Sequence, residues 1–206
     1  MKLLKDNGLT IALVLLFGAS VAGQAYFGWR AALEDMAAHG RERESLLSYM
    51  SDGEFLSTLF ENWESEFLQM WAYVMLTAHL FQRGSAESRD PDDPERENDE
   101  AYPGFWGKVH AHSLGFAMMI LFVASFLLHL IYSARHAEEE ALMHGQMPAT
   151  WAEHLSDAQF WFESFQNWQS EFFSTAVLVV LSIFLRERGS PESKPVRAAN
   201  SETGAA

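Results

Sequence analysis

The sequence predicts an all-α protein, a four-transmembrane-helix bundle built from two tandem, parallel helical-hairpin repeats. Three observations predict it: four long apolar blocks, an internal repeat at an offset of 105 residues, and the confinement of nearly all charge to the segments between the blocks. The blocks run from Leu9 to Trp29, Phe67 to Phe81, Leu114 to Tyr132 and Phe172 to Leu185. A bilayer core asks for about 20 predominantly apolar residues per helix, which the first and third blocks supply alone. The second and fourth must borrow from their upstream flanks, giving spans at 9–29, 60–81, 114–134 and 165–185. The mean hydropathy of -0.08 averages these blocks with charged loops and does not argue for a soluble domain.

The repeat sets the organisation. Leu9 to Ser88 aligns without a gap on Leu114 to Ser193, with about a third of about 80 positions identical. The matches include Leu16-Phe17 with Leu121-Phe122, His39-Gly40 with His144-Gly145, and Asn62-Trp63-x-Ser65-Glu66-Phe67 with Asn167-Trp168-x-Ser170-Glu171-Phe172. Residues 1–88 are read as the first hairpin, 89–108 as an acidic cytoplasmic linker, 109–193 as the second hairpin and 194–206 as a flexible cytoplasmic tail. Two spans per copy make both copies insert in the same direction, related by an axis near the membrane normal. Ten of the 14 Lys and Arg residues fall on the side of the termini, which places both termini inside. The stretch after Met1-Lys-Leu-Leu-Lys5 imitates a signal peptide, but its twin lies in mid-chain, where cleavage has no meaning.

The second helix of each hairpin has legible ends. Ser51-x-x-Glu54 and Ser156-x-x-Gln159 each fit a capping box, and Gly84 and Gly189 suit the left-handed closing position, with Arg83 and Arg188 beside the last carbonyls. Such a helix of about 30 residues is about 45 Å long and must project or tilt beyond a hydrocarbon core of about 30 Å. Between the hairpins, Glu87 to Glu100 is acidic, Pro-rich and nearly free of apolar residues, the composition of a solvated, mobile linker.

A formal net charge of -14 excludes a nucleic-acid partner, since phosphate binding needs a basic face. The absence of cysteine excludes disulfides, thiolate metal sites and cysteine nucleophiles. No nucleotide loop, nucleophile elbow or zinc-protease helix is present, and no cofactor or metal is assigned. Polar residues inside the spans are the candidates for chemistry: Glu66, Glu171, Asn62, Asn167, Gln24 and His129 fall at similar depth in the outer leaflet, with Trp63 and Trp168 as interface anchors. They are either interhelical hydrogen-bond glue or a proton or cation pathway, in which a glutamate beside a histidine forms a relay. Glu66 and Glu171 are expected to face the interior and to be hydrogen-bonded. His39, His136, His144 and His154 lie in the outer loops, where surface roles are commoner than metal capture. His79 and His129 sit near opposite faces of the membrane, which argues against haem ligation, and His110-x-His112 lacks carboxylate partners.

Asp6-Asn-Gly-Leu9, Gly23-Gln24, Gly28-Trp-Arg30, Phe60-Glu-Asn-Trp-Glu-Ser-Glu-Phe67 and Arg83-Gly-Ser-Ala-Glu-Ser88 together resemble an uncharacterised family of small bacterial integral membrane proteins, a domain of unknown function. The resemblance implies a location in the bacterial cytoplasmic membrane and brings no catalytic residue. The expected function is a non-enzymatic accessory, assembly or stress-related membrane component, and the alternative is a small proton- or cation-translocating protein. Expected partners are the lipid bilayer and a larger membrane complex or further copies of the chain.

Overall fold

A computed structural model of the chain describes residues 2–40, 43–95 and 99–204. It is all-helical, with no strand among the described residues: α1 (Lys2–Ala38), α2 (Leu46–Tyr49), α3 (Gly53–His79), α4 (Phe105–Ala111), α5 (Ser113–Met143), α6 (Trp151–Leu155) and α7 (Ala158–Phe184). α1 and α5 are long and apolar enough to cross a membrane. Only 6% and 17% of the residues in their apolar windows are buried, so most of their apolar surface is exposed. α3 and α7, 27 residues each, are about 40 Å long and start and end 105 positions apart.

Helix ends follow the same offset. Gly40 and Gly145, both at φ 67°, close α1 and α5, where the Nδ1 of His39 and of His144 pairs with the Asp35 and Glu140 carbonyls at 2.9 and 2.8 Å. These two histidines, expected in outer loops, are therefore helix-terminating residues. The serine capping boxes are corrected by one residue. Asp52 accepts from the Gly53 N–H at 2.5 Å and Asp157 from Gln159 N–H at 3.3 Å. Ser51 and Ser156 instead donate back to the Leu47 and Ala152 carbonyls of α2 and α6. A capping box does form at Thr150 and Glu153, where the hydroxyl and backbone N–H of Thr150 hold the Glu153 carboxyl below its ordinary range. α3 stops at His79 and α7 at Phe184, five residues before the glycines expected to close them.

The Arg-Gly-Ser-x-Glu-Ser motif that follows each is a turn. In both copies the last serine accepts from the residue before the arginine (Gln82 N–H to Ser88, 2.8 Å; Glu187 N–H to Ser193, 2.9 Å), and the first accepts from the glutamate N–H. Gly84 and Gly189, at φ 85° and 88°, carry the reversal. Arg83 pairs with Asp92 through two bonds of 2.6 and 3.0 Å, not with helix carbonyls; the Ala78 carbonyl is taken by Arg89. The acidic linker is thus tied back at its start. The C-terminal tail is tied down as well. Lys194, 1% exposed, donates to the carbonyls of Ala199, Asn200 and Glu202, and the Gly204 N–H reaches the Ser85 carbonyl at 2.9 Å.

The chain forms two compact units, 1–59 with 131–149, and 60–130 with 150–204. The first has a small core of Ala25, Tyr49 and Phe55 packed by Trp29, Ala32, Leu56 and Leu59, and the Trp29 indole donates to the Glu44 carbonyl at 3.0 Å. Burial pushes the Tyr49 hydroxyl up to about 12. In the second, α3 and α7 are joined by Gln69 to Thr175 (2.6 Å), and the turn after α3 meets α7 through the buried Ser85 and Ser182 hydroxyls (2.8 Å).

Candidate functional site

The second unit contains a cluster of buried and half-buried ionisable groups contributed by α3, α5 and α7. Glu61 and Glu64 are one turn apart on α3 and share its inner face. His129 comes from the apolar α5 and Glu163 from the first turns of α7. Glu64 and His129 are both 0% exposed. The His129 Nδ1 lies 2.7 Å from Glu64 Oε2, and the other Glu64 oxygen accepts from the Trp168 indole N–H at 2.9 Å. Glu61 Oε1 accepts from the Asn167 amide, which also donates to the Glu163 carbonyl at 3.3 Å.

Aromatic rings wall the cluster. His129 stacks on Phe160 with centroids 4.8 Å apart and planes 29° off parallel, and Phe160 touches Phe126, His154 and Trp161. His154 is buried in this wall, and burial holds its imidazole below its usual range. Taking a carboxylate and an imidazole out of water is costly unless each finds a close polar partner, which the Glu64–His129 contact supplies. The second imidazole nitrogen, His129 Nε2, is buried with no hydrogen-bond partner. One ring nitrogen of His129 and one carboxylate oxygen each of Glu61 and Glu163 lie within 4.8 Å of one another. Nδ1 is held by Glu64, so Nε2 is the nitrogen left for a ligand.

Of the residues singled out from sequence, the structure brings His129, Asn167 and Trp168 to this cluster. Glu66 and Asn62 are exposed and Glu171 is half-buried, and among the described residues no hydrogen bond engages the Glu66 or Glu171 carboxylate. The reason is rotational: Glu66 lies two residues beyond Glu64, about 200° around the helix. Gln24 belongs to the first unit, half-buried on α1. Trp63 is half-buried on α3, edge-on to Phe60 at 5.4 Å. Glu61, Glu64 and Glu163 were not anticipated. The signal for them was the Glu61-x-x-Glu64 spacing together with a histidine inside an otherwise apolar block.

Fold and site together define an all-helical protein with two helices long and apolar enough to cross a membrane and a carboxylate–histidine centre in which Glu64 and His129 are fully buried and Glu61 and Glu163 half-buried. The chain belongs to the family described as Domain of unknown function (DUF6766), whose model matches residues 1–205. No curated protein and no solved structure matches the chain.

Proposed function

We propose that the chain is a non-enzymatic, four-span protein of the bacterial cytoplasmic membrane that handles a proton or cation in its buried carboxylate–histidine centre. The Glu64–His129 contact carries the reading. Two fully buried ionisable groups at 2.7 Å, one of them within the apolar block 114–132 of α5, are costly to maintain for packing alone.

Four spans in two parallel repeats are supported by the common boundaries of α3 and α7 and by electrostatic contacts between repeat-equivalent carboxylates: Glu66 acts on Glu171, and Glu87 on Glu192. Groups related by a rotation axis meet their own equivalents only beside that axis. The basic-residue asymmetry supports a cytoplasmic position for both termini. Charge also separates this reading from its neighbour. Every ionisable member of the cluster has a non-ionisable counterpart 105 positions away: Gln166 for Glu61, Gln169 for Glu64, Thr58 for Glu163 and Gln24 for His129. The equivalent positions carry amides and a hydroxyl, which serve hydrogen-bonded packing alone, so the charges at Glu61, Glu64, His129 and Glu163 serve something else.

Reconstitution of the purified chain into lipid vesicles tests the proposal. Proton or cation flux that disappears in His129→Gln but persists in Glu66→Gln is the expected result. Absence of flux, with co-migration of the native chain in a larger membrane complex, would instead favour an accessory role mediated by the acidic linker.

A further inference from the structure

Resting on the reading of this cluster as a cation-handling centre, we propose that Glu61, Glu163 and His129 bind one divalent first-row transition-metal ion, with Glu64 as the positioning residue behind the histidine. Three different helices each deliver one potential ligand atom, and the three atoms lie within 4.8 Å of one another. Metal–ligand bonds of about 2.0–2.2 Å place ligand atoms about 3–4.4 Å apart, so small side-chain rotations close the site around an ion.

The second, independent observation is His129 itself. The ring is 0% exposed, its Nδ1 is engaged by Glu64, and its Nε2 has no hydrogen-bond partner. An imidazole that hands one nitrogen to a carboxylate and leaves the other bare has the arrangement of a metal ligand with its outer-shell support. Glu61 is prepared in the same way: the Asn167 amide holds Oε1, which leaves Oε2 for an ion.

The donor set selects the ion class. Calcium and magnesium take oxygen ligands, and copper(I) favours sulfur, whereas one imidazole with two carboxylates suits manganese, iron, cobalt or zinc in the divalent state. Three protein ligands leave at least one coordination position open for water or for exchange. The positions equivalent to the three ligands at the 105-residue offset, Gln166, Gln24 and Thr58, carry no ionisable side chain, which gives the stoichiometry of one ion per chain and not two.

The test uses the full chain purified in detergent, stripped with chelator and titrated with Zn²⁺ by calorimetry and with Co²⁺ by visible absorption. The expected result is one ion per chain and a Co²⁺ ligand-field band. His129→Gln, Glu61→Gln and Glu163→Gln should each weaken binding at least 100-fold. Retention of the helical circular dichroism and a single elution peak in any one of the three makes that loss interpretable. Glu64→Gln should keep the 1:1 stoichiometry, weaken affinity about 10- to 100-fold and shift the Co²⁺ band. A role of Glu64 in folding alone would not move that band. Glu66→Gln, on the exposed face, should bind as the parent does. Binding no tighter than that of His129→Gln, or two ions per chain untouched by the three substitutions, overturns the site. Stoichiometric binding without flux in vesicles supports the site and refutes translocation. Proton flux without Zn²⁺ or Co²⁺ binding overturns the metal site and leaves the proton reading standing.

Discussion

At the scale of single residues, Glu64 is engaged on both oxygens, by the His129 ring on one and by the Trp168 indole N–H on the other. Removing one member of such a buried pair leaves the other uncompensated. Glu64→Ala should therefore cost about 3–5 kcal/mol, with Glu64→Gln costing distinctly less because the amide retains one acceptor; unfolding in detergent checks both. Glu87 has a titration linked to stability. Burial, and then the Glu192 carboxylate, push it above the ordinary range, while the Tyr73 hydroxyl, donating at 2.5 Å, opposes them. A raised folded-state value means that the native chain holds a proton that the unfolded chain has released. This contribution to stability is complete below pH 4.5, the ordinary value, and is lost as pH rises through the raised one. Thermal scans from pH 4 to pH 8 should show the parent losing stability relative to Glu87→Gln as pH rises. A constant difference between the two would refute the assignment. Lys194 is a buried ammonium satisfied by three carbonyls. Lys194→Met should release residues 195–204 to protease and cost about 2–3 kcal/mol.

Among the helices and turns, Gly84 and Gly189 occupy equivalent positions with nearly the same φ, 85° and 88°, yet their surroundings differ. A Cβ on Gly189 meets nothing within 4 Å, whereas one on Gly84 would lie 2.6 Å from the Asn200 carbonyl of the C-terminal tail. Gly189→Ala should cost about 1–2 kcal/mol for the left-handed backbone alone, and Gly84→Ala clearly more, because the tail must also move. Equal costs in unfolding measurements would contradict the docked tail. The turn glycines and the 105-residue register were readable because they depend on local backbone chemistry and identity between copies. The caps were misplaced by one residue because Ser51-Asp52 and Ser156-Asp157 each offer two adjacent capping side chains, and spacing alone does not rank them. The tail was misread because nothing in its composition announces that Lys194 finds carbonyls on a loop that follows it. The site was obscured by the repeat itself. Attention to residues identical in both copies selects Asn62, Glu66 and their equivalents, while the buried centre consists of the positions where the copies diverge, Glu61, Glu64, Glu163 and His129.

Across the whole molecule, the account depends on α3 and α7 crossing the bilayer with α1 and α5, because the cluster on α3, α5 and α7 then lies at membrane depth, where its charges are expensive. α1 and α5 meet the length and apolarity of a span outright. α3 and α7 carry the polar residues, and their lengths of about 40 Å exceed the core of about 30 Å. The chain has no cysteine, so single introduced cysteines report position without background. The most direct measurement labels Leu47→Cys, Asp93→Cys, Met147→Cys and Val196→Cys, all exposed positions, with a membrane-impermeant thiol reagent on intact spheroplasts and again after lysis. The account predicts that Leu47→Cys and Met147→Cys label from outside, and that Asp93→Cys and Val196→Cys label only after lysis. Labelling of Leu47→Cys and Asp93→Cys from the same side would show that α3 does not cross, and would contradict it.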